Sequence, residues 1–207
     1  MLVYFTIFNL EVSLILASSS PFRKAILDKL GLSFEVVAPE INEARKVNES
    51  PIDLVFRLSE EKAIAVSKTH SGLIIASDQV ATLNSGDNVS DEILTKPGNH
   101  ENAFQQLKKS SGKTLNFLTG IVLMNTKTLS TQSHVEHFKV SFKSLTDNQI
   151  LNYLSKEDVL SCAGSFKSEG LGIALLSQMD GNDPDSLIGL PTIKLIEMLA
   201  KENVHVL

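Results

Sequence analysis

Apolar positions along this chain fall either into short unbroken runs or into stripes of helical spacing, and the alternation predicts its elements. Leu14 to Ala17 is a continuous apolar run, the signature of a buried first strand. It leads into S-S-S-P-F-R-K-A-I-L-D-K-L-G. There Ser20 is a favoured N-cap and Pro21 suits the first helical position; Phe22, Ala25, Ile26 and Leu30 make the apolar stripe and Gly31 ends it. Ser33 to Val37 predicts a second strand, followed by the acidic turn P-E-I-N-E. Ser50-Pro51-Ile52-Asp53 repeats the cap signature and opens a long helix to about Lys68. Leu73 to Ala76 predicts a short strand covered on both faces, ending in Ser77-Asp78-Gln79. After Val80 to Leu83, N-S-G-D-N-V-S-D reads as an exposed hairpin tip, and Lys96-Pro97-Gly98 precedes a helix around Glu101 to Lys109.

The second half continues the alternation. T-L-N-F-L-T-G-I-V-L-M-N and H-V-E-H-F-K-V-S-F predict a long antiparallel pair, with Phe138, Val140 and Phe142 on one face. Thr146 and Gln149 form a capping box for a helix to about Ser155. A glycine-rich stretch, a strand from Ile173 to Leu176, the loop D-G-N-D-P-D-S and a last helix from Pro191 to about Lys201 complete the pattern. Strands alternating with helices around a central hairpin imply an α/β protein with a mixed sheet.

Composition narrows the function. The chain has 207 residues, 43% of them hydrophobic and 21% charged, enough for a substantial core and without the bias of a disordered chain. Nineteen basic residues against twenty-four acidic ones give a net charge of −5, which argues against general attraction to a nucleic-acid polymer. Phosphate binding would have to come from a local cluster. Cys162 is the sole cysteine, so there is neither an internal disulfide nor a cysteine zinc site, as suits a reducing compartment. The apolar first residues lack a basic leader region, and Asn9 and Glu11 interrupt them before they could span a bilayer, so no membrane association is expected. Residues 1–13 read as an N-terminal extension or added strand, and 14–207 as a single domain.

Several residues exceed what packing requires. Ser18, Ser19 and Arg23 are not needed for the cap, but a helix N-terminus with free N–H groups, flanking hydroxyls and a guanidinium is an anion site. Lys62 falls in the stripe Val55, Leu58, Lys62, Val66, where a lysine must snorkel, pair or face a cleft. Asp78 follows a buried strand at its carboxyl end, where open α/β sheets place ligands, or else closes an Asx turn. Arg23, Lys62 and Lys96 are independent candidates for the same cleft. Glu40 and Glu43 follow the second strand; each is either a plain surface carboxylate or, with Asp78, a holder of Mg²⁺ beside substrate phosphates. Gly164 to Gly172 presents Phe166, Lys167 and Glu169 on a frame expected to be flexible. Neither G-x-x-x-x-G-K-[ST] nor G-x-G-x-x-G occurs. Hydrolysis of a nucleotide phosphoanhydride uses such a set: cations and a helix N-terminus for the phosphates, a carboxylate-bound metal, and a carboxylate to orient or deprotonate water.

These residues also carry a resemblance. L-I-L-A-S-S-S-P-F-R-K-A-I-L-D-K-L-G, E-K-A from Glu61, S-D-Q-V from Ser77, Lys96-Pro97 and G-L-P from Gly189 are collinear over Leu14 to Leu199. In this the chain resembles the Maf-like nucleoside triphosphate pyrophosphatases. The resemblance implies cleavage of a nucleoside triphosphate to the monophosphate and pyrophosphate, and a divalent cation, Mg²⁺ or Mn²⁺. It also implies a curved mixed β-sheet flanked by helices in two lobes, as in the ITPase-like fold, a cytoplasmic location and often a homodimer. Carried over residue by residue, it makes Asp78 the catalytic carboxylate, Arg23, Lys62 and Lys96 the phosphate ligands, Ser18 and Ser20 part of the phosphate loop, and Glu43 with Asp78 the metal holders.

Members acting on thymidine and uridine triphosphates typically read S-P-R-R and A-D-T, where this chain has S-P-F-R and S-D-Q. C-A-G-S-F-K-S-E-G and G-N-D-P-D-S-L-I-G-L-P resemble the branch that prefers 7-methyl-GTP. Close relatives there carry tryptophan at the position of Phe22. Methylation at N7 makes guanine cationic, so an aromatic face from Phe22 or Phe166 and the carboxylate of Glu169 are the groups expected to recognise it, with Gln79 a further specificity residue. The alternatives are dTTP, UTP or another modified nucleotide as substrate, and a nucleotide-binding regulator of cell division. A serine hydrolase is weaker, since no G-x-S-x-G is present.

Overall fold

A computed structural model describes residues 13–207, so the extension or added strand expected over 1–13 lies, apart from Ser13, outside the described residues. All four residues of β1 (Leu14–Ala17) are buried, because the strand is covered on both faces and paired on both edges. It runs parallel to β2 (Glu35–Val37) on one side and to β3 (Leu73–Thr82) on the other. From β3 the pairing turns antiparallel, to β5 (Thr114–Asn125), then β6 (Ser130–Phe142), then β7 (Leu176–Asp180). The short β4 (Ile93–Leu94) pairs with the end of β3. The result is the expected mixed α/β architecture, an open sheet that has seven strands among the described residues, in the order β2-β1-β3-β5-β6-β7 with β4 off this path.

Two helices dock on one face near β1. They are α1 (Pro21–Asp28) and α6 (Thr192–Lys201), whose Ile26, Leu27, Leu195 and Leu199 pack with Leu16 and Ile75. The opposite face is covered by α2 (Pro51–Ser67), through Ala63 and Val66 against Ile15, Ile74 and Val122. At the far end α3 (His100–Ser110) and α4 (Asp147–Leu154) enclose a second core with Phe117, Phe138, Val140 and Phe142. The caps at Ser20, Ser50 and Thr146 form as their sequences predict.

Four local expectations are corrected. Ser77-Asp78-Gln79 does not end a strand: β3 continues through it, in ten-residue register with β5, because each polar side chain finds a buried partner. The segment after β3 is not simply an exposed tip, since buried Asp91 accepts hydrogen bonds from the Gly86 and Asn88 amides and from Asn84 Nδ2. Leu171–Leu175 forms a 3₁₀ turn, and β7 starts only at Leu176; its remaining residues are exposed on a sheet edge, which leaves no apolar signal to read. Within D-G-N-D-P-D-S, Asp183 caps a short helix, α5 (Pro184–Ile188).

Gly120 lies opposite Asp78 in the β3–β5 ladder and lets α2 sit close to the sheet. A Cβ there would stand 2.6 Å from the Val55 carbonyl oxygen and 2.7 Å from Ser59 Oγ. Gly120→Ala must push the helix outward, and by the usual cost of overpacking it is expected to lower stability by about 1–3 kcal/mol, read as a lower urea midpoint.

Candidate active site

The edge of β3 facing away from β5 is shared by two strands that do not meet. β1 follows it up to Ala76, and β4 joins it only at Ala81. Among the described residues no strand pairs with that edge between them, at residues 77–80. A cleft of about 330 Å³ opens there. Thus Asp78 stands just beyond the carboxyl end of β1 rather than of its own strand, at the point where the sheet changes from parallel to antiparallel. Of the candidates indicated by the sequence, Ser18, Ser19, Ser20, Phe22, Arg23, Glu43, Lys62, Asp78, Gln79, Lys96, Phe166 and Glu169 line this cleft, and Lys167 is not part of its lining. Glu40 does not line it.

Strand alternation sends Asp78 toward α2 and sends Ser77 and Gln79 toward α5. On the α2 side, Lys62 is only 5% exposed, and its Nζ lies 2.5 Å from Asp78 Oδ1 and 2.8 Å from Glu43 Oε1. The lysine in the apolar stripe is therefore paired, not snorkelled. Glu43 is partly desolvated, but the hydrogen bond and charge of Lys62, with Lys96 and Arg23 adding, hold its carboxyl below the usual carboxylate range.

Glu43 rides on an irregular segment that is anchored from α2. Arg57 clamps buried Glu49 with Nε 2.5 Å from Oε1 and Nη2 2.9 Å from Oε2, and Nη2 also donates to the Ala44 carbonyl. Arg45 ties the same segment to the Asp91 loop by donating to the carbonyls of Glu49, Val89 and Asp91. The Arg57 hydrogen bonds outweigh desolvation and keep the Glu49 carboxyl below its ordinary range. Sequence patterning gave no hint of this clamp, because both partners look like ordinary helix and loop charges.

At the start of α1, Ser20 accepts from the Arg23 amide, and Ser18 Oγ accepts from the Ser20 amide at 3.1 Å and from Arg23 Nη1 at 3.5 Å. Arg23 Nε donates to the Gly189 carbonyl at 2.7 Å. Burial pulls the Arg23 pKa down, opposed by the charges of Asp78 and Glu43. Among the described residues this guanidinium makes no ion pair, and Lys96, exposed after β4, makes none either.

The remaining wall differs from expectation. The glycine-rich frame is close-packed rather than open: a Cβ at Gly172 would meet the Lys167 carbonyl oxygen at 2.3 Å, and one at Gly164 would press on Ala81 and Leu115. Phe166 is buried against Phe117 and Phe142 and belongs to the core as much as to the cleft. Phe22 is half-buried, with Lys167 Nζ 5.9 Å from its ring centre and that ammonium 3.4 Å from Glu157. Glu169 is exposed at the rim. Gln79 Nε2 is committed to the carbonyls of Ser186 and Leu187 and to Thr119 Oγ1, so its amide holds the α5 wall.

With this geometry in place, the comparison with known proteins is direct. Residues 13–202 match the Maf-like protein family. The chain belongs to the Maf family. Among its relatives, the 7-methyl-GTP pyrophosphatase of Pseudoalteromonas atlantica is 52% identical over 94% of this chain and 97% of that protein. The 7-methyl-GTP pyrophosphatase of Nitrosococcus oceani is 48% identical over 94% of this chain and 96% of that protein. Among solved structures, the Staphylococcus aureus Ham1 protein aligns with a TM-score of 0.48 at 14% identity, covering 92% of this chain and 99% of that one.

In this Maf protein the cleft is also lined by Pro39 and Ser161, which lie in none of the motifs quoted for the resemblance, and by Cys162, Leu187 and Ile188, which lie in motifs but were given no role. Desolvation pushes the Cys162 thiol up to about 11, away from the thiolate form. Among the described residues no group of three or more His, Cys, Asp or Glu could hold a metal. Glu43 and Asp78 do converge, bridged by one ammonium, and two carboxylates with phosphate oxygens form a donor set that Mg²⁺ uses.

The Glu49 clamp makes stability depend on pH. A carboxyl held low in the folded state stabilises above its unfolded pKa, and that contribution is lost as pH falls through the folded value. Glu49→Gln is expected to cost about 3 kcal/mol near neutrality, as for a buried pair that loses one partner, and little at acid pH. Urea unfolding of both proteins across the acid range checks this, by curves that converge as the pH drops.

Proposed function

We propose that this Maf protein hydrolyses 7-methyl-GTP to 7-methyl-GMP and pyrophosphate, removing a modified nucleotide from the pool. The observation that carries the reading is Arg23: a half-buried guanidinium without an ion-pair partner among the described residues, set at a helix N-terminus across the cleft from Asp78. A desolvated cation in that position calls for an anionic ligand. The 7-methyl-GTP pyrophosphatases at 52% and 48% identity supply the reaction.

In this reading Arg23, Lys96 and the first amides of α1 take the phosphates, with Ser18 and Ser20 shaping that loop. Asp78 orients a water and accepts its proton as the water oxygen bonds to the α-phosphorus. The bond from the α-phosphorus to the bridging oxygen breaks, and pyrophosphate leaves with the bonding pair. Lys62 holds the Asp78 carboxylate in place before substrate arrives and stays within reach of the phosphates afterwards. Glu43 and Asp78 are the residues that would hold Mg²⁺ or Mn²⁺. When bound, the ion offsets phosphate charge. Phe22, half-buried in the cleft wall, would present its ring to the cationic base, and Glu169 the carboxylate at the rim. The single cysteine fits a cytoplasmic site of action, and no helix among the described residues is long and apolar enough to cross a membrane.

Pyrophosphate release with Mg²⁺ or Mn²⁺ against 7-methyl-GTP, GTP, dTTP, UTP and CTP tests the assignment. The expected result is a strong preference for 7-methyl-GTP, reduced about a thousand-fold in Asp78→Asn, the scale on which general-base catalysis contributes. Preferred turnover of dTTP and UTP would overturn the roles of Phe22 and Glu169. Tight nucleotide binding with no turnover would favour a regulator instead.

A further inference from the structure

Ser77 is the chain neighbour of Asp78, yet its side chain points to the opposite face of the sheet and is fully buried at 0% exposure. Its Oγ lies 2.7 Å from the Gly120 carbonyl oxygen and 2.9 Å from that of Gly189, within donor reach of both. The Gly189 carbonyl is the same one that receives Arg23 Nε at 2.7 Å. One backbone oxygen therefore joins β3 to the guanidinium on α1.

That oxygen is held on every side. Gly189 stands at φ +124°, a left-handed conformation that L side chains rarely adopt, and a Cβ there would press on Arg23 Nε at 3.4 Å. Its amide donates back to the carbonyls of Asp185 and Ser186. Buried Asp183 accepts from the Asp185 and Ile193 amides and so fixes the corner between α5 and α6. Gln79 pins the preceding residues through the Ser186 and Leu187 carbonyls. With Nε bound to Gly189 and Nη1 near Ser18, only Nη2 and the outer edge of the guanidinium remain for a ligand. A planar fork recognises phosphate oxygens in a fixed orientation, so its aim matters as much as its charge.

We propose that Ser77 is a positioning residue: through the Gly189 carbonyl it aims the Arg23 guanidinium at the substrate phosphates. The inference rests on the phosphate-binding role given to Arg23 above. It assigns Ser77 an effect on binding that vanishes when Arg23 is absent, which a hydroxyl serving only to satisfy the core would not show.

A double-mutant cycle of Ser77→Ala and Arg23→Ala tests this, with thermal melting as the control for folding. The readouts are kcat and KM for 7-methyl-GTP and, independently of turnover, calorimetric binding of inorganic pyrophosphate. Expected is a rise of about 5- to 10-fold in KM and in the pyrophosphate dissociation constant for Ser77→Ala, on the scale of one neutral hydrogen bond, with kcat changed less. In the Arg23→Ala background the same change should alter pyrophosphate binding less than about twofold. If Ser77→Ala does not fold, Ser77→Cys keeps a weaker donor and carries the same cycle, with a smaller effect. Equal effects in both backgrounds, or a lower melting temperature with unchanged KM and pyrophosphate binding, would overturn the proposal. Arg23→Ala that leaves pyrophosphate binding intact would overturn the phosphate reading and this inference together. Pyrophosphate binding without turnover in the wild type would overturn only the activity, because the binding arm still reads the cycle.

Discussion

The cleft exists because β1 stops at Ala17 while β3 runs on to Thr82. Parallel pairing on one edge ends before antiparallel pairing on the other does, and β4 returns to that edge only at Ala81. The unflanked residues, 77–80, include Asp78. Continuous pairing with β5 on the far side keeps that stretch rigid without any help from the near side. The chain leaving β1 turns at once into the serine loop and α1, so the helix N-terminus and Arg23 reach the gap as a direct consequence of where the strand ends.

Opposite faces of β3 then do different work. Asp78 faces α2 and meets Lys62, at a depth made possible because Gly120 lets the helix approach the sheet. A buried pair of this kind is a doubtful source of net stability, since desolvation of both charges offsets their attraction. What the pair does is fix a carboxylate and an ammonium side by side in the wall of the cleft. Ser77 and Gln79 face the other way and bind carbonyls of the α5 segment, which in turn hold Arg23. A chain with a net charge of −5 thereby places Arg23, Lys62 and Lys96 around one small cleft. Local arrangement, not overall charge, makes the site fit for a polyanion.

Much of this was legible in the sequence. The caps at Ser20, Ser50 and Thr146 are local chemistry, and they form as read. The placement of Lys62 in an apolar stripe signals a partner, and the structure supplies Asp78. The errors lie where local pattern is silent. S-D-Q looked like the end of a strand because polar residues interrupt an apolar run, and only their partners on α2 and α5 show why the strand can pass through them. The glycine-rich segment looked flexible because glycine permits motion, but here glycine serves close contact. β7 was misplaced because an exposed edge strand carries no apolar alternation.

Most of the elements and their boundaries, though not β4, β7 or α5, follow from sequence alone, as do the α/β class and the residue types lining the cleft, since propensity, capping and hydrophobic period act over a few residues. Tertiary structure decided which side chains meet. The Arg57–Glu49 clamp spans 8 residues, the Lys62–Asp78 pair 16 and the Arg23–Gly189 bond 166. No local rule links positions so far apart; the register of β3 on β5 and the packing of α2, α1 and α5 bring them within hydrogen-bond distance. The chemistry is therefore written in residues, and its geometry in the sheet.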